Sequence, residues 1–336
     1  MKPLGNEKNE SLSHVVAAAY GLPGSPLLVA LTTGTKPVYR MHFEGHTLIL
    51  ALYPKSDFSA ERLQTIHAWQ ASLAGEGCRV AVPLIDNQGN DVVAIEFKGL
   101  SYWAAVTSYV GEFAPTLDVA VAETLGEELA KMHEVTPESG ASNDHGLEVL
   151  DERGLLFESI DEILPRLGND IRARQIIEQS KGLMMTELDR IPRDDCRFGA
   201  CHGDAHHLNA RRSMDGTLCF FDFDLARTTW RMYDLATLIW GSLSADVGAN
   251  EEPLWTAFVR GYSRVRPLTE EERTALGAFV AVRQLWWVAF HARHWGTWKR
   301  EWLNDAFFSR SIELYGDILK DAYGFDLQLN DSDVAA

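Results

Sequence analysis

Cysteine is scarce in this chain. Four occur among 336 residues, at positions 78, 196, 201 and 219, and no two are spaced as C-x-x-C. That excludes a disulfide-framed scaffold and suits buried thiols in a reducing compartment. Long apolar runs are also missing. No stretch reaches the roughly 18 residues a spanning helix needs, so no membrane span is expected. Basic residues are in deficit, with 31 Lys and Arg against 48 Asp and Glu, a formal net charge of −17. A general nucleic-acid binder needs a basic surface, so that class is set aside. The polar segment Met1 to Ser13 lacks the charged-then-apolar layout of a signal peptide, and a cytoplasmic protein is expected. There is no internal repeat and no low-complexity tract. What is present is ordinary for a globular protein: 46% hydrophobic and 24% charged residues, enough for a substantial core in one large or two medium domains.

The hydrophobic period changes along the chain. Ser11 to Tyr20 reads as a short helix. Pro26 to Leu31, Val38 to Phe43 and Thr47 to Tyr53 read as three antiparallel strands joined by turns. Leu63, Ile66, Trp69 and Leu73 place a helix over 59–74, and two further strands follow at 92–97 and 103–109. After Gly111 and Pro115 the period becomes helical, over 118–133, 155–167, 170–190, 232–243, 254–262, 270–290 and 305–322, with Thr269 to Glu272 as a capped start. These patterns predict an α+β chain: a small sheet unit over 1–111, a helical unit over 112–328, and a frayed tail at 329–336, marked by Asn330 to Asp333. The sequence sets no oligomeric state.

One stretch carries chemistry. His202-Gly203-Asp204-Ala205-His206-His207-Leu208-Asn209 is followed by Phe221-Asp222-Phe223-Asp224. Leu208 to Arg212 and Thr217 to Asp222 read as a hairpin about the turn dipeptide Asp215-Gly216. The hairpin brings Asn209 close to Asp222, with Asp204 in the loop before. One carboxylate to orient a hydroxyl, and an amide oxygen with a second carboxylate to hold Mg²⁺, are the parts phosphoryl transfer requires. Alone, Asp204 is as easily a turn-capping aspartate. The offsets of Asn209 and Asp222 favour catalysis. His202 is expected to orient loop backbone. A zinc site from His202, His206 and His207 is disfavoured, because Gly203 and Asp204 oppose a helix there.

The pattern H-G-D-x-x-x-x-N, with a hydrophobic strand ending in Asp, resembles the catalytic loop and metal segment of the aminoglycoside-phosphotransferase-like kinases. Leu125-Gly126-Glu127-Glu128-Leu129-Ala130-Lys131-Met132-His133 resembles that family's L-G-x-x-L-A-x-x-H helix. Asp224 and Trp230-Arg231-Met232-Tyr233-Asp234-Leu235-Ala236 look most like its bacterial stress-response Ser/Thr kinase branch. The resemblance implies a protein-kinase-like two-lobed fold and transfer of the γ-phosphate of ATP to a hydroxyl of a protein Ser/Thr or a small metabolite. It implies Asp204 as catalytic base, Asn209 and Asp222 as Mg²⁺ ligands, adenine near Thr107, Tyr109 and Val110, and Asp234 as an anchor of the catalytic loop.

The small lobe departs from the family. Its third strand should carry a Lys or Arg for the phosphates, yet Ala51 stands there, and the partner acid of the helix falls at Ile66 or His67. A relocated cation is expected from Arg40 first, on the Val38 face, and from Lys36 second. A nucleotide-sensing pseudokinase is the alternative that Ala51 favours. The tryptophans at 286, 287, 295, 298 and 302 read as core at helical spacing, and the acidic residues at 151, 152, 158, 161 and 162 as an exposed helix face.

Overall fold

The computed structural model describes residues 10–33, 36–111, 115–135, 145–213, 216–244, 252–298 and 300–324. Residues 1–9 of the Met1 to Ser13 segment, Asp215 and the 329–336 tail, all named above, lie outside them. The chain divides into two compact units. One comprises Met1–Thr116, His145–Leu147 and Leu208–Asp224; the other comprises Leu117–Asp144, Glu148–His207 and Leu225–Ala336.

The first unit is built on a five-stranded antiparallel sheet: β1 (Leu27–Thr33), β2 (Pro37–Phe43), β3 (His46–Pro54), β4 (Val92–Phe97) and β5 (Leu100–Ser108), in the order β1-β2-β3-β5-β4. Side chains alternate across it. Leu50, Leu52, Ala104 and Val106 pack under α1 (Glu10–Tyr20), which contributes Leu12, Val16 and Tyr20. Ala51, Tyr53 and Ala105 face the other way, with Leu63 of α2 (Ala60–Gly75). Ser59 caps α2 by accepting from the Arg62 backbone N–H.

The hairpin β7 (Ala210–Arg212) and β8 (Leu218–Phe220) belongs to this unit, whereas the sequence patterning assigned it to the helical part. Its attachment is backbone pairing. Ala81 N–H donates to the Phe220 carbonyl at 2.8 Å, and Phe220 N–H donates to the Arg79 carbonyl at 2.9 Å.

The second unit is mainly helical: α3 (Val119–Glu134), α4 (Glu158–Ile163), α5 (Ile171–Asp189), α6 (Arg231–Ser244), α7 (Glu252–Val265), α8 (Glu270–Trp298) and α9 (Asp305–Tyr323). The helix expected over 155–167 is broken into a π turn at Arg153–Phe157, then α4, then a tight turn containing Pro165. Helix α8 begins in a reciprocal cap, with Glu272 N–H donating to Thr269 Oγ1 and Thr269 N–H donating to the Glu272 carboxylate. It runs eight residues beyond the expected Phe290, because ring contacts among Phe290, His291, His294 and Trp298 continue its packed face. Helices α3 and α7 meet at two glycines. A Cβ on Gly126 would fall 2.1 Å from the Phe258 carbonyl oxygen, and one on Gly261 would fall 1.9 Å from that of Glu123.

A two-stranded sheet, β6 (Phe198–Cys201) with β9 (Arg227–Trp230), adds to the expected elements. It brings the start of the H-G-D segment beside the chain that enters α6. None of the cysteines forms a disulfide. Among the described residues no helix is long and apolar enough to cross a membrane.

Candidate active site

The loop that follows β6 is held by one buried carboxylate. Asp234, in the first turn of α6, accepts the backbone N–H groups of His202 and Gly203, each at 2.7 Å. His133 of α3 completes the anchor. Its Nε2 lies 3.1 Å from Asp234, and Nδ1 lies 2.8 Å from the Tyr262 hydroxyl. Burial lowers the His133 pKa below the ordinary imidazole value, so the ring is neutral near pH 7. A neutral ring that accepts from Tyr262 and donates to Asp234 satisfies every atom of this buried trio. Cys201 joins His133 and Asp234 in a group with metal-ligand chemistry. The Asp234 oxygens are already engaged by two N–H groups and an imidazole, so the group is explained as a loop anchor.

Gly203 has φ of +78°, and a Cβ there would sit 1.9 Å from the Leu225 carbonyl oxygen. Only glycine fits this bend. His202 Nδ1 accepts from the Asp204 N–H at 3.2 Å, which is the backbone-orienting role expected of it. Residues 202–206 are not helical, so the histidines lack the i, i+4 helical register of a zinc motif.

Asp204 is turned toward a buried arginine of α8. Arg283 donates to Asp204 Oδ1 at 2.5 Å, to the Gly203 carbonyl at 3.1 Å and to the Tyr233 hydroxyl at 2.9 Å. Its guanidinium lies against the rings of Trp240, Tyr233 and Trp286. His206 Nε2 lies 3.4 Å from Asp204 Oδ2. Burial by itself would raise the Asp204 carboxyl. The guanidinium of Arg283 and the imidazole of His206 outweigh it and hold the group well below the ordinary carboxylate range. Asp204 is therefore an acceptor throughout the neutral range. The Asp204–Arg283 contact spans 79 residues, and no local spacing signals it. Trp286 is buried, in keeping with a core role, while Trp302 is half exposed.

In the sheet unit, the α2 face encloses a cavity of about 480 Å³. Val38, Ala51 and Ala105 lie in one cross-strand row of small side chains, which leaves this space. Arg40, Lys36, Thr107, Tyr109 and Val110, the five residues expected to meet nucleotide, all line it, and so does Asp222. The Arg40 guanidinium lies 5.2 Å from the centre of the Tyr109 ring. Asp222 adopts φ of +66°, a left-handed conformation that few residues other than glycine take. Such backbone strain, about 1 kcal/mol, is tolerated where it aims a functional side chain. Asn209 is buried, and its carbonyl accepts from the Phe221 N–H at 3.0 Å, one residue from Asp222.

Lys36 makes the principal charge contacts. Its ammonium donates to Asp222 Oδ1 at 2.8 Å and to Asp224 Oδ2. Burial works against its charge, but the two carboxylates outweigh that and raise its pKa well above the ordinary value. The Tyr53 hydroxyl donates to Asp224 Oδ1 at 2.9 Å, and Arg62 donates to the Asp224 carbonyl at 2.8 Å. The buried pair that sequence reasoning missed is thus Lys36 with Asp224. The residues at the expected acid position do other work: His67 bonds to Asp91 at 2.9 Å, and Ile66 lines the cavity. A carboxylate pair already facing a cation, with Asn209 tied by its backbone to the residue before Asp222, suits a hard divalent ion with oxygen ligands.

Comparison with known proteins agrees with this chemistry. The family model of the APH phosphotransferase enzymes matches residues 29–268. A protein of Deinococcus radiodurans is 30% identical over 299 residues, covering 89% of this chain and 86% of its own. A homoserine kinase of Brucella melitensis is 28% identical over 243 residues, covering 71% of this chain and 70% of its own. Among solved structures, a microcompartment-associated aminopropanol kinase has a TM-score of 0.77 at 19% identity, covering 95% of this chain and 99% of that one. The amicoumacin kinase hAmiN, in complex with AMP-PNP, Ca²⁺ and amicoumacin, has a TM-score of 0.70 at 19% identity, covering 86% and 88%. These two likenesses establish a protein-kinase-like fold, with an antiparallel sheet followed by a mostly helical part. The chain belongs to the APH phosphotransferase enzyme family and is a kinase that acts on a hydroxyl group.

Proposed function

We propose that this protein transfers the γ-phosphate of ATP to a hydroxyl of a small metabolite, with Mg²⁺ as the metal. The observation that carries the reading is the Asp204 loop. Its carboxylate is kept ionised by Arg283, and its backbone is pinned by Asp234 before any substrate arrives. Asp204 accepts the hydrogen bond of the acceptor hydroxyl and aims its oxygen at phosphorus. Phosphoryl transfer has a loose transition state with little need for early deprotonation, so a weakly basic carboxylate serves well as an orienter. The hydroxyl proton passes to an Asp204 oxygen late in the transfer. Asn209 and Asp222 supply oxygen ligands to the metal. The metal, when bound, neutralises charge on the phosphates and fixes the transferring group. Thr107, Tyr109 and Val110 at the end of β5 receive the adenine, and Arg40 lies on the same cavity wall.

One feature supports a small acceptor, and a second supports ATP with a divalent metal. The relatives named by activity are kinases of homoserine, aminopropanol and amicoumacin. The hAmiN complex contains an ATP analogue and a divalent ion. The test is a phosphate-transfer assay with γ-labelled ATP and Mg²⁺, against a panel of amino alcohols, hydroxy amino acids and Ser/Thr peptides, with Asp204→Asn as control. Transfer to a small alcohol that Asp204→Asn loses is the expected result. Transfer to peptides alone returns the acceptor to the Ser/Thr kinase branch. Nucleotide binding without transfer to any acceptor supports the pseudokinase instead.

A further inference from the structure

The phosphate-binding machinery of the sheet unit has lost its usual members. Ala51 stands where a strand lysine is expected, and the helix acid is absent. Lys36 and Asp224 come from other places, just before β2 and just after β8, and meet at the same cavity. The two partners of Lys36 differ. Asp224 is fixed, with Tyr53 on its carboxylate and Arg62 on its carbonyl, and its side chain is 18% exposed. Asp222 is 41% exposed and opens onto the cavity. One ammonium therefore satisfies a part-buried carboxylate and a more accessible one.

We propose that Lys36–Asp224 is a relocated phosphate-binding pair, and that Lys36 is also the resident counter-ion of Asp222, which it yields when a divalent metal binds. This rests on the phosphotransferase reading above. A metal on Asp222 Oδ1 would compete with the ammonium that already donates to that oxygen at 2.8 Å, since two cations gathered on one carboxylate oxygen repel each other. Asp224 retains Lys36, and the released bonding capacity of the ammonium turns to the phosphates that accompany the metal. The cavity thus stays close to charge balance in both states. An unpaired carboxylate pair is avoided without metal, and a cation is already in place for the phosphates with it.

The proposal makes opposite demands on one side chain, and these separate it from a structural ion pair. Lys36→Ala and the milder Lys36→Gln are compared with the full-length wild type. Binding of Mn²⁺ without nucleotide is followed by electron paramagnetic resonance, binding of Mg-AMP-PNP by calorimetry, and folding by thermal melting. The expected result is Mn²⁺ binding tighter by about tenfold and Mg-AMP-PNP binding weaker by about tenfold or more. Asp224→Asn should weaken the nucleotide complex without tightening Mn²⁺. Unchanged nucleotide affinity in both Lys36 variants overturns the proposal. So does a parallel loss of metal and nucleotide binding with a lowered melting temperature, which marks a purely structural pair. Opposite shifts in a wild type that phosphorylates no acceptor uphold the pair and reject only the transferase reading. A wild type that binds no nucleotide rejects both.

Discussion

Arg283 reaches from the middle of α8 to Asp204 with a charge-assisted hydrogen bond of 2.5 Å, from a side chain that is only 1% exposed. The contact sets the protonation state of the proposed base. It also ties the loop to the longest helix of its unit through the Gly203 carbonyl.

Removing that arginine should alter both stability and pH dependence. Arg283→Gln leaves a buried carboxylate facing a neutral group, which costs about 3–5 kcal/mol in comparable buried pairs. Urea unfolding at pH 7 measures this. The Asp204 pKa is depressed in the fold, so its stabilising contribution is complete above the unfolded value near 3.8 and is lost only as pH falls through the lower folded value. Wild-type turnover should therefore show no acid limb from Asp204 between pH 5 and 7, within the neutral range where this carboxylate stays ionised. In Arg283→Gln, burial is opposed only by the neighbouring histidines, and the acid limb of kcat should move upward. A profile that does not move would separate Arg283 from the charge state of Asp204.

Asp204→Asn should fold and bind nucleotide as the wild type does, while turnover falls by about 10²–10⁴-fold. Calorimetry with Mg-AMP-PNP and a transfer assay on the best acceptor give the two readings. Full turnover in the variant would remove Asp204 from the reaction.

Asp234→Asn should loosen the loop from its foundation. Two backbone N–H bonds to a buried carboxylate and one to an imidazole are weakened together. Hydrogen bonds to charged groups contribute about 1.5–3 kcal/mol each, so a loss of about 3 kcal/mol in urea unfolding is expected. The neighbouring His133 gives a further sign. Its folded pKa lies below its unfolded value of 6.5, so its contribution is full above that value and declines as pH falls through the folded one. Wild-type stability should accordingly drop on acidification below about pH 6.5, where an unperturbed imidazole begins to protonate.

Two glycines should fail in different ways. Gly203→Ala places a Cβ against the Leu225 carbonyl and at a positive φ, so the catalytic loop must shift. Turnover should fall by about 10²-fold or more, as misplacement on the ångström scale does. Gly261→Ala drives α7 away from the Glu123 carbonyl of α3. It should lower the melting temperature and leave Mg-AMP-PNP affinity near wild type, because that cavity is lined wholly by the sheet unit. Equal effects on transfer and melting in both variants would contradict this division.

The sequence by itself determined the sheet, the order of most helices and the catalytic segment. Strands of period two and helices of period 3.6 are local patterns, and H-G-D-x-x-x-x-N with a distant F-D-F-D is legible without folding the chain. It also exposed the vacancy at Ala51. Tertiary structure alone decided which cation meets the carboxylates of that cavity. Arg40 had the better strand position, yet Lys36 makes the contact with Asp222 and Asp224, because pairing across 186 residues depends on where β8 docks beside Val80. The same holds for Arg283. One arginine in a run of tryptophans reads as helix core, and only the crossing of α8 behind the loop brings it to Asp204. The short β6–β9 pairing was hidden for a related reason. Strands of four residues carry too few alternations to show a period, and they exist because each supplies the other's backbone hydrogen bonds. Local spacing specifies which groups a chain carries. Which charges neutralise one another is settled by long-range packing, where a buried ion must find its partner whatever its distance in sequence.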